Sequence, residues 1–204
     1  MDVTFALIRE GTSDDGLIPH LQTLLVRHGA ASAVGASRPY KGDIRRRIEQ
    51  LLAEDTLVDI VFVHADADAR DSSVRRAQIE EAAREGLPEG GLCIPVVPVQ
   101  ELEAWLLVDE VEIRRVTGRP SGTQPLGIPA VRAIETTSSP KEVLQRALLQ
   151  VSDTTGRRRD KERSMFPQRR RTLLERLDLN GAVKELSSFQ QLLGDVQRAV
   201  AALL

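Results

Sequence analysis

Leu57-Val58-Asp59-Ile60-Val61-Phe62-Val63-His64-Ala65-Asp66-Ala67-Asp68 is the stretch on which the fold of this chain turns. Residues 57–64 are β-branched or aromatic and nearly uninterrupted, which predicts a strand buried on both faces, as in parallel sheets. Upstream, Val3 to Ile8 is a second such run, closed by the turn Arg9-Glu10-Gly11-Thr12-Ser13-Asp14-Asp15-Gly16. Leu17, Ile18, Leu21, Leu24 and Leu25 then recur at helical spacing, and Gly29 stops them. Ala31 to Ala36 reads as a further strand, and Gly42-Asp43 opens a helix with Ile44, Ile48, Leu51 and Leu52 inward and Arg45 to Arg47 outward. Downstream, Ser72 or Ser73 caps a helix that runs through Glu85. Leu92 to Val99 is a strand that Pro95 and Pro98 push toward a sheet edge, and it leads into a short helix over Gln100 to Leu107.

Strand and helix thus alternate through Leu107, which predicts an α/β fold with a mostly parallel sheet flanked by helices. Gly118 to Pro129 is a loop rich in Gly and Pro, and helical patterns follow at Pro140–Leu149, Arg169–Leu177 and Ser187–Leu203. The expected organisation is an α/β core over residues 1–115 and a helical C-terminal extension over 116–204 packed on it, not two independent domains.

The 204 residues are 41% hydrophobic and 28% charged, the composition of an ordinary globular protein. No apolar run approaches the roughly 20 residues that span a bilayer, and the N-terminus lacks the pattern of a signal peptide. The single Cys93 excludes an internal disulfide and fits a reducing, cytoplasmic setting, where a buried inert thiol is expected. One cysteine and three scattered histidines argue against a zinc cluster. Net charge is −2, yet seven arginines and one lysine lie between Arg157 and Arg171 against Asp160 and Glu162. Folded onto one face, Arg157, Arg158, Arg159, Arg169, Arg170 and Arg171 would bind nucleic acid through its phosphates; the plainer reading is a solvated face. An aromatic content of 3% leaves little for base stacking.

Ligands of open α/β sheets gather beyond the carboxyl ends of the strands. Glu10 follows the first strand, Asp66 and Asp68 follow the 57–64 strand, and Glu101 and Glu103 follow the fourth. Carboxylates brought together at one sheet edge repel unless a cation sits among them, and hard, oxygen-preferring Mg²⁺ or Mn²⁺ is the natural one. In an extended segment Asp66 and Asp68 point to one side, with small Ala65, Ala67 and Ala69 leaving room for ion and phosphate. Gly11 would permit a tight turn and close backbone approach to an anion. The alternative is a strand-to-helix turn with capping aspartates.

Glu10-Gly11-Thr12-Ser13-Asp14 after the first strand and His64-Ala65-Asp66-Ala67-Asp68 after a later one resemble the Toprim fold of topoisomerases, primases, small ribonucleases and the overcoming-lysogenization-defect nucleases. Val99-Gln100-Glu101-Leu102-Glu103-Ala104-Trp105-Leu106-Leu107-Val108-Asp109 and Ser187-Ser188-Phe189-Gln190-Gln191-Leu192 are similar to a group of small Toprim-like proteins, the DUF4276 group, discussed with phage defence. The resemblance implies a catalytic glutamate at Glu10 and metal carboxylates at Asp66 and Asp68. It places a second ion at Asp14, where the two-metal members carry a longer acidic side chain, and at Glu103, with Glu101 behind it. It also implies a transition-state lysine, for which Lys161 is the first choice and Lys141 the second. The implied activity is Mg²⁺- or Mn²⁺-dependent hydrolysis of DNA or RNA phosphodiesters by a nuclease. The alternative is a non-catalytic or partner-activated subunit that works with a separately encoded ATPase; a homodimer is a further expectation.

Trp105 reads most simply as a core anchor, His64 as a hydrogen-bonded neighbour of the site, and His20 and His28 as surface residues of a helix. A haloacid-dehalogenase-like phosphatase with Asp66 as nucleophile fits poorly, because Ala69-Arg70 departs from that family's pattern.

Overall fold

The computed structural model describes residues 1–38, 40–54 and 58–204. Four strands, β1 (Asp2–Ile8), β2 (Ser32–Arg38), β3 (Ile60–His64) and β4 (Leu92–Val96), form one sheet in the order β2-β1-β3-β4. Every pairing is parallel, with Ala6 opposite Val61 and His64 opposite Val96. The β3 strand begins at Ile60 and the second strand extends to Arg38, while Leu57 of the sequence expectation lies outside the described residues. β4 is an edge strand, so Pro95 needs a partner on one side only, and Pro98 lies beyond its end.

The side chains of the two central strands divide by the period of two. Val3, Phe5 and Leu7 of β1 and Ile60 and Phe62 of β3 face one core, whereas Ala6, Ile8, Val61 and Val63 face another. Helices α2 (Ile44–Glu54) and α3 (Ser73–Gly86) cover the second face through Ile48, Leu51, Ile79 and Ala83. The first face carries α1 (Ile18–Arg27) and nearly everything after β4. Those later helices are α4 (Glu103–Leu106), α5 (Glu110–Val116), α6 (Val131–Ile134), α7 (Pro140–Ser152), α8 (Gly156–Ser164), α9 (Phe166–Glu175) and α10 (Ser187–Leu203). Leu144, Leu148, Leu174, Phe189 and Val196 from this C-terminal part share one hydrophobic cluster with Phe5 and Phe62. The architecture is therefore α/β and Rossmann-like, a parallel sheet between helical layers, with residues 116–204 completing the core of the first face.

Trp105 is 1% exposed, donates its indole N–H to Ser188 Oγ at 2.9 Å and meets Phe189 edge-on at 5.2 Å. Residues 99–109 and 187–192 thus touch each other inside the core, and Trp105 packs there. His20 differs from expectation: it is buried, with Nε2 2.5 Å from the Leu174 carbonyl, because the face of α1 it occupies is covered by α9. The α3 start also differs, since Asp71, not a serine, accepts the Ser73 N–H at 2.8 Å. Cys93 is a free thiol whose pKa burial, with Glu80 and Asp195 nearby, pushes up to about 12, so it stays protonated and inert. Among the described residues, no helix is long and apolar enough to cross a membrane.

Candidate functional site

The strand order has a switch point between β1 and β3: the chain leaves β1 toward β2 on one side and leaves β3 toward β4 on the other. A crevice opens there, beyond the carboxyl ends of the strands. Glu10 follows β1 and Asp66 follows β3, so chain direction alone carries both acids to it.

Around them lies a cavity of about 320 Å³ lined by Glu10, Gly11, Ser13, Asp14, Asp66, Glu101, Glu103, Lys141, Phe166, Pro167 and Arg170. Each wall has a local cause. Asp14 closes the loop after β1 by accepting the Gly11 N–H at 2.9 Å, and a 3₁₀ helix over Thr12–Leu17 follows. The expected tight turn forms, with the Asp14 N–H on the Gly11 carbonyl at 3.2 Å, but Gly11 has φ −135°, an extended backbone open to any residue. The loops after β3 and β4 continue the ladder beyond the sheet, with Ala67 N–H on Pro98 O at 3.1 Å and Asp68 N–H on Gln100 O at 2.9 Å. Asp68 and Gln100 take φ of +52° and +61°, strained positions for side chains other than glycine that persist because the paired loops hold them. The third wall is α9. Gly16 admits it closely, since a Cβ there would come within 3.1 Å of Leu174, and His20 holds the Leu174 carbonyl. One turn before Leu174, Arg170 therefore enters the cavity.

Electrostatics sort the five carboxylates into two groups. Asp14 and Glu103 already have a cation. Arg170 is 8% exposed and donates from Nε to Glu103 at 2.8 Å and from both terminal nitrogens to Asp14 at 3.2 Å. Burial would raise the Asp14 pKa, but His64, the Gly11 N–H and Arg170 together hold it well below the usual carboxylate range. His64 is buried behind the cavity, with Nδ1 3.3 Å from Asp14 and Nε2 3.6 Å from Asp66. Neither ring nitrogen has a well-aligned hydrogen bond, so these are ion-pair contacts. Burial alone would depress the imidazole; the two flanking carboxylates overcome it and raise its pKa to about 9.

Glu10, Asp66 and Glu101 form the other group. Burial and then the charge of Asp66 raise the Glu10 pKa, and burial followed by Glu103 and Asp66 raises that of Glu101. Asp66 accepts the Leu102 N–H at 2.8 Å, and Glu101 accepts the Lys141 N–H at the start of α7 at 2.9 Å. Among the described residues, no three His, Cys, Asp or Glu side chains stand close enough together to hold an ion between them. Mg²⁺ makes a smaller demand, taking one or two carboxylates and keeping its waters. The all-oxygen donor pair of Glu10 and Asp66, with a carboxyl raised by its neighbour, fits that demand.

Other expected site residues lie elsewhere. The side chain of Asp68 is 69% exposed, outside the cavity, with Arg75 3.4 Å away, because the left-handed backbone turns it from the direction of Asp66. Lys161 is exposed on α8 and does not line the cavity, whereas Lys141 does. The arginine stretch divides too. Arg157, Arg158 and Arg159 are exposed on α8, a helix with no buried residue. Arg169 pairs with Glu162, Arg171 with Glu175, and Arg170 is buried in the site, so these three are not part of a free basic face. The role of Arg170 could not be read locally, since its partner Asp14 is 156 positions away.

Comparisons of the chain with protein-family models, with curated proteins and with solved structures found no match.

Proposed function

We propose that this protein is a Toprim-like, Mg²⁺- or Mn²⁺-dependent phosphodiesterase acting on DNA or RNA. The observation that carries the reading is the meeting of Glu10 and Asp66 at the switch point of the sheet, where the charge of Asp66 helps raise the Glu10 pKa. Glu10 and Asp66 would hold the ion, with Glu101 beside them. When bound, the ion supplies positive charge that polarises a phosphoryl oxygen. His64 keeps Asp66 oriented and balances its charge from behind. Glu101, on the cavity wall with its pKa raised chiefly by burial, is the group that would move a proton at the leaving oxygen. Lys141, on the cavity wall, is positioned to meet a phosphate and replaces Lys161 as the candidate cation. The exposed arginines of α8 lead through Met165 into Phe166 and Pro167 of the cavity wall, a path along which a nucleic-acid backbone would lie.

The test is Mn²⁺-dependent cleavage of plasmid DNA, single-stranded DNA and RNA by the purified chain, with calorimetric Mn²⁺ binding alongside. Asp66→Asn combined with Glu10→Gln is expected to lower Mn²⁺ affinity by at least a hundredfold and to abolish cleavage while the circular-dichroism spectrum is unchanged. Undiminished cleavage by the double variant overturns the assignment.

A further inference from the structure

We propose that Arg170 is a built-in cation that takes the place of a second metal ion, so that the cavity is a one-ion site completed by the C-terminal helices. This rests on the metal reading above and narrows it.

The acidic residues at Asp14 and Glu103 are the pair expected to serve a second ion. In the fold they are 3% and 3% exposed and already share one guanidinium. Its three nitrogens are all directed at them, Nε to Glu103 at 2.8 Å and the other two to Asp14 at 3.2 Å. Arg170 is itself buried and makes no other ion pair among the described residues, so its charge is committed to these two acids. A divalent ion seated on the same oxygens would meet a fixed positive charge at hydrogen-bonding distance, in a setting that screens little. Displacing the guanidinium would leave a buried, unpaired cation, a heavy penalty. Asp14 and Glu103 therefore do not fit an ion while Arg170 is in place. Glu10 and Asp66 are not tied to a guanidinium: Asp66 accepts the Leu102 N–H at 2.8 Å, with His64 Nε2 3.6 Å away and not in a well-aligned hydrogen bond, and Glu10 lines the same cavity with no ion pair among the described residues.

The same geometry gives Arg170 a positioning role. It ties α9 to the loop after β1 and to the start of α4, while Phe166 and Pro167 from the same helix form the cavity wall. The first-face helices thus determine how many ions the crevice takes.

Counting ions on the intact chain tests this, by calorimetry and by the electron paramagnetic resonance of free Mn²⁺. The wild type is expected to bind one Mn²⁺, lost in Asp66→Asn and kept in Glu103→Gln. Arg170→Lys, which retains a cation, keeps the count at one. Arg170→Met is expected to bind two, the second at least ten times more tightly than to the wild type, and adding Glu103→Gln to it restores one. Two ions on the wild type, one of them lost in Glu103→Gln, would overturn the proposal and leave the metal reading standing. A single ion on a folded Arg170→Met variant also overturns it. No binding to the wild type removes the metal reading and this proposal together. Should Arg170→Met fail to fold, the counts for the wild type and Glu103→Gln still decide.

Discussion

Asp66 and Asp68 are two residues apart and have different surroundings. Asp66 is held by the Leu102 N–H and by His64, whereas Asp68 adopts a left-handed backbone and extends its carboxylate into solvent toward Arg75. The extended geometry that would align both ends where Asp68 gives its N–H to Gln100. Asp68→Ala is therefore expected to keep Mn²⁺ affinity and cleavage within about threefold of the wild type, since an exposed ion pair contributes little. Calorimetry on this variant beside Asp66→Asn checks it; a hundredfold loss would return Asp68 to the site. The Asp-x-Asp pattern was legible in the chain, but which of the two acids turns inward was not. That depends on a φ of +52° stabilised by a loop more than thirty residues away in sequence.

At the scale of elements, α10 shows how a loop side chain can start a helix. Its first two N–H groups, on Ser187 and Ser188, are taken by the carboxylate of Glu135 at 2.8 and 3.0 Å, and both serine hydroxyls donate to the same group. Burial would raise the Glu135 pKa, yet these four donors depress it below its usual 4.5. A carboxylate whose folded pKa is lowered stabilises the fold fully above its unfolded pKa and loses that contribution as pH falls through the folded value. Glu135→Gln is thus expected to lower stability by about 1–2 kcal/mol at pH 7. The gap between variant and wild type should narrow as pH falls below 4.5, read by urea denaturation at a series of pH values. A gap independent of pH would show that the charge plays no part. Helix α10 was evident from its apolar period, but its cap, supplied from 52 positions upstream, was not. The opposite holds for α8: with no buried residue, it has no apolar stripe from which to read a helix.

Over the whole molecule, the two faces of the sheet are closed by different sets of helices. The second face is closed by α2 and α3, while the first is closed by helices that also deliver Arg170, Lys141 and the α8 arginines. If α8 guides a nucleic-acid backbone, replacing Arg157, Arg158 and Arg159 by Gln should weaken binding regardless of sequence. The slope of log affinity against log salt should fall by ~2–3, while Mn²⁺ affinity stays the same. Fluorescence anisotropy at several salt concentrations measures the slope, and an unchanged slope would remove α8 from the interface.

By itself the sequence determined the alternation of strand and helix, the burial of β1 and β3 on both faces, and the delivery of Glu10 and Asp66 to one end of the sheet. These follow from local pattern and from chain direction in a parallel sheet, where every strand end points the same way. Only the tertiary structure decided which acids are free. Asp14 and Glu103 meet Arg170 across 156 and 67 positions, and Lys141, not Lys161, reaches the cavity wall. Contacts of that range depend on how α7 and α9 pack against the first face, and no local period records where a packed helix places one arginine.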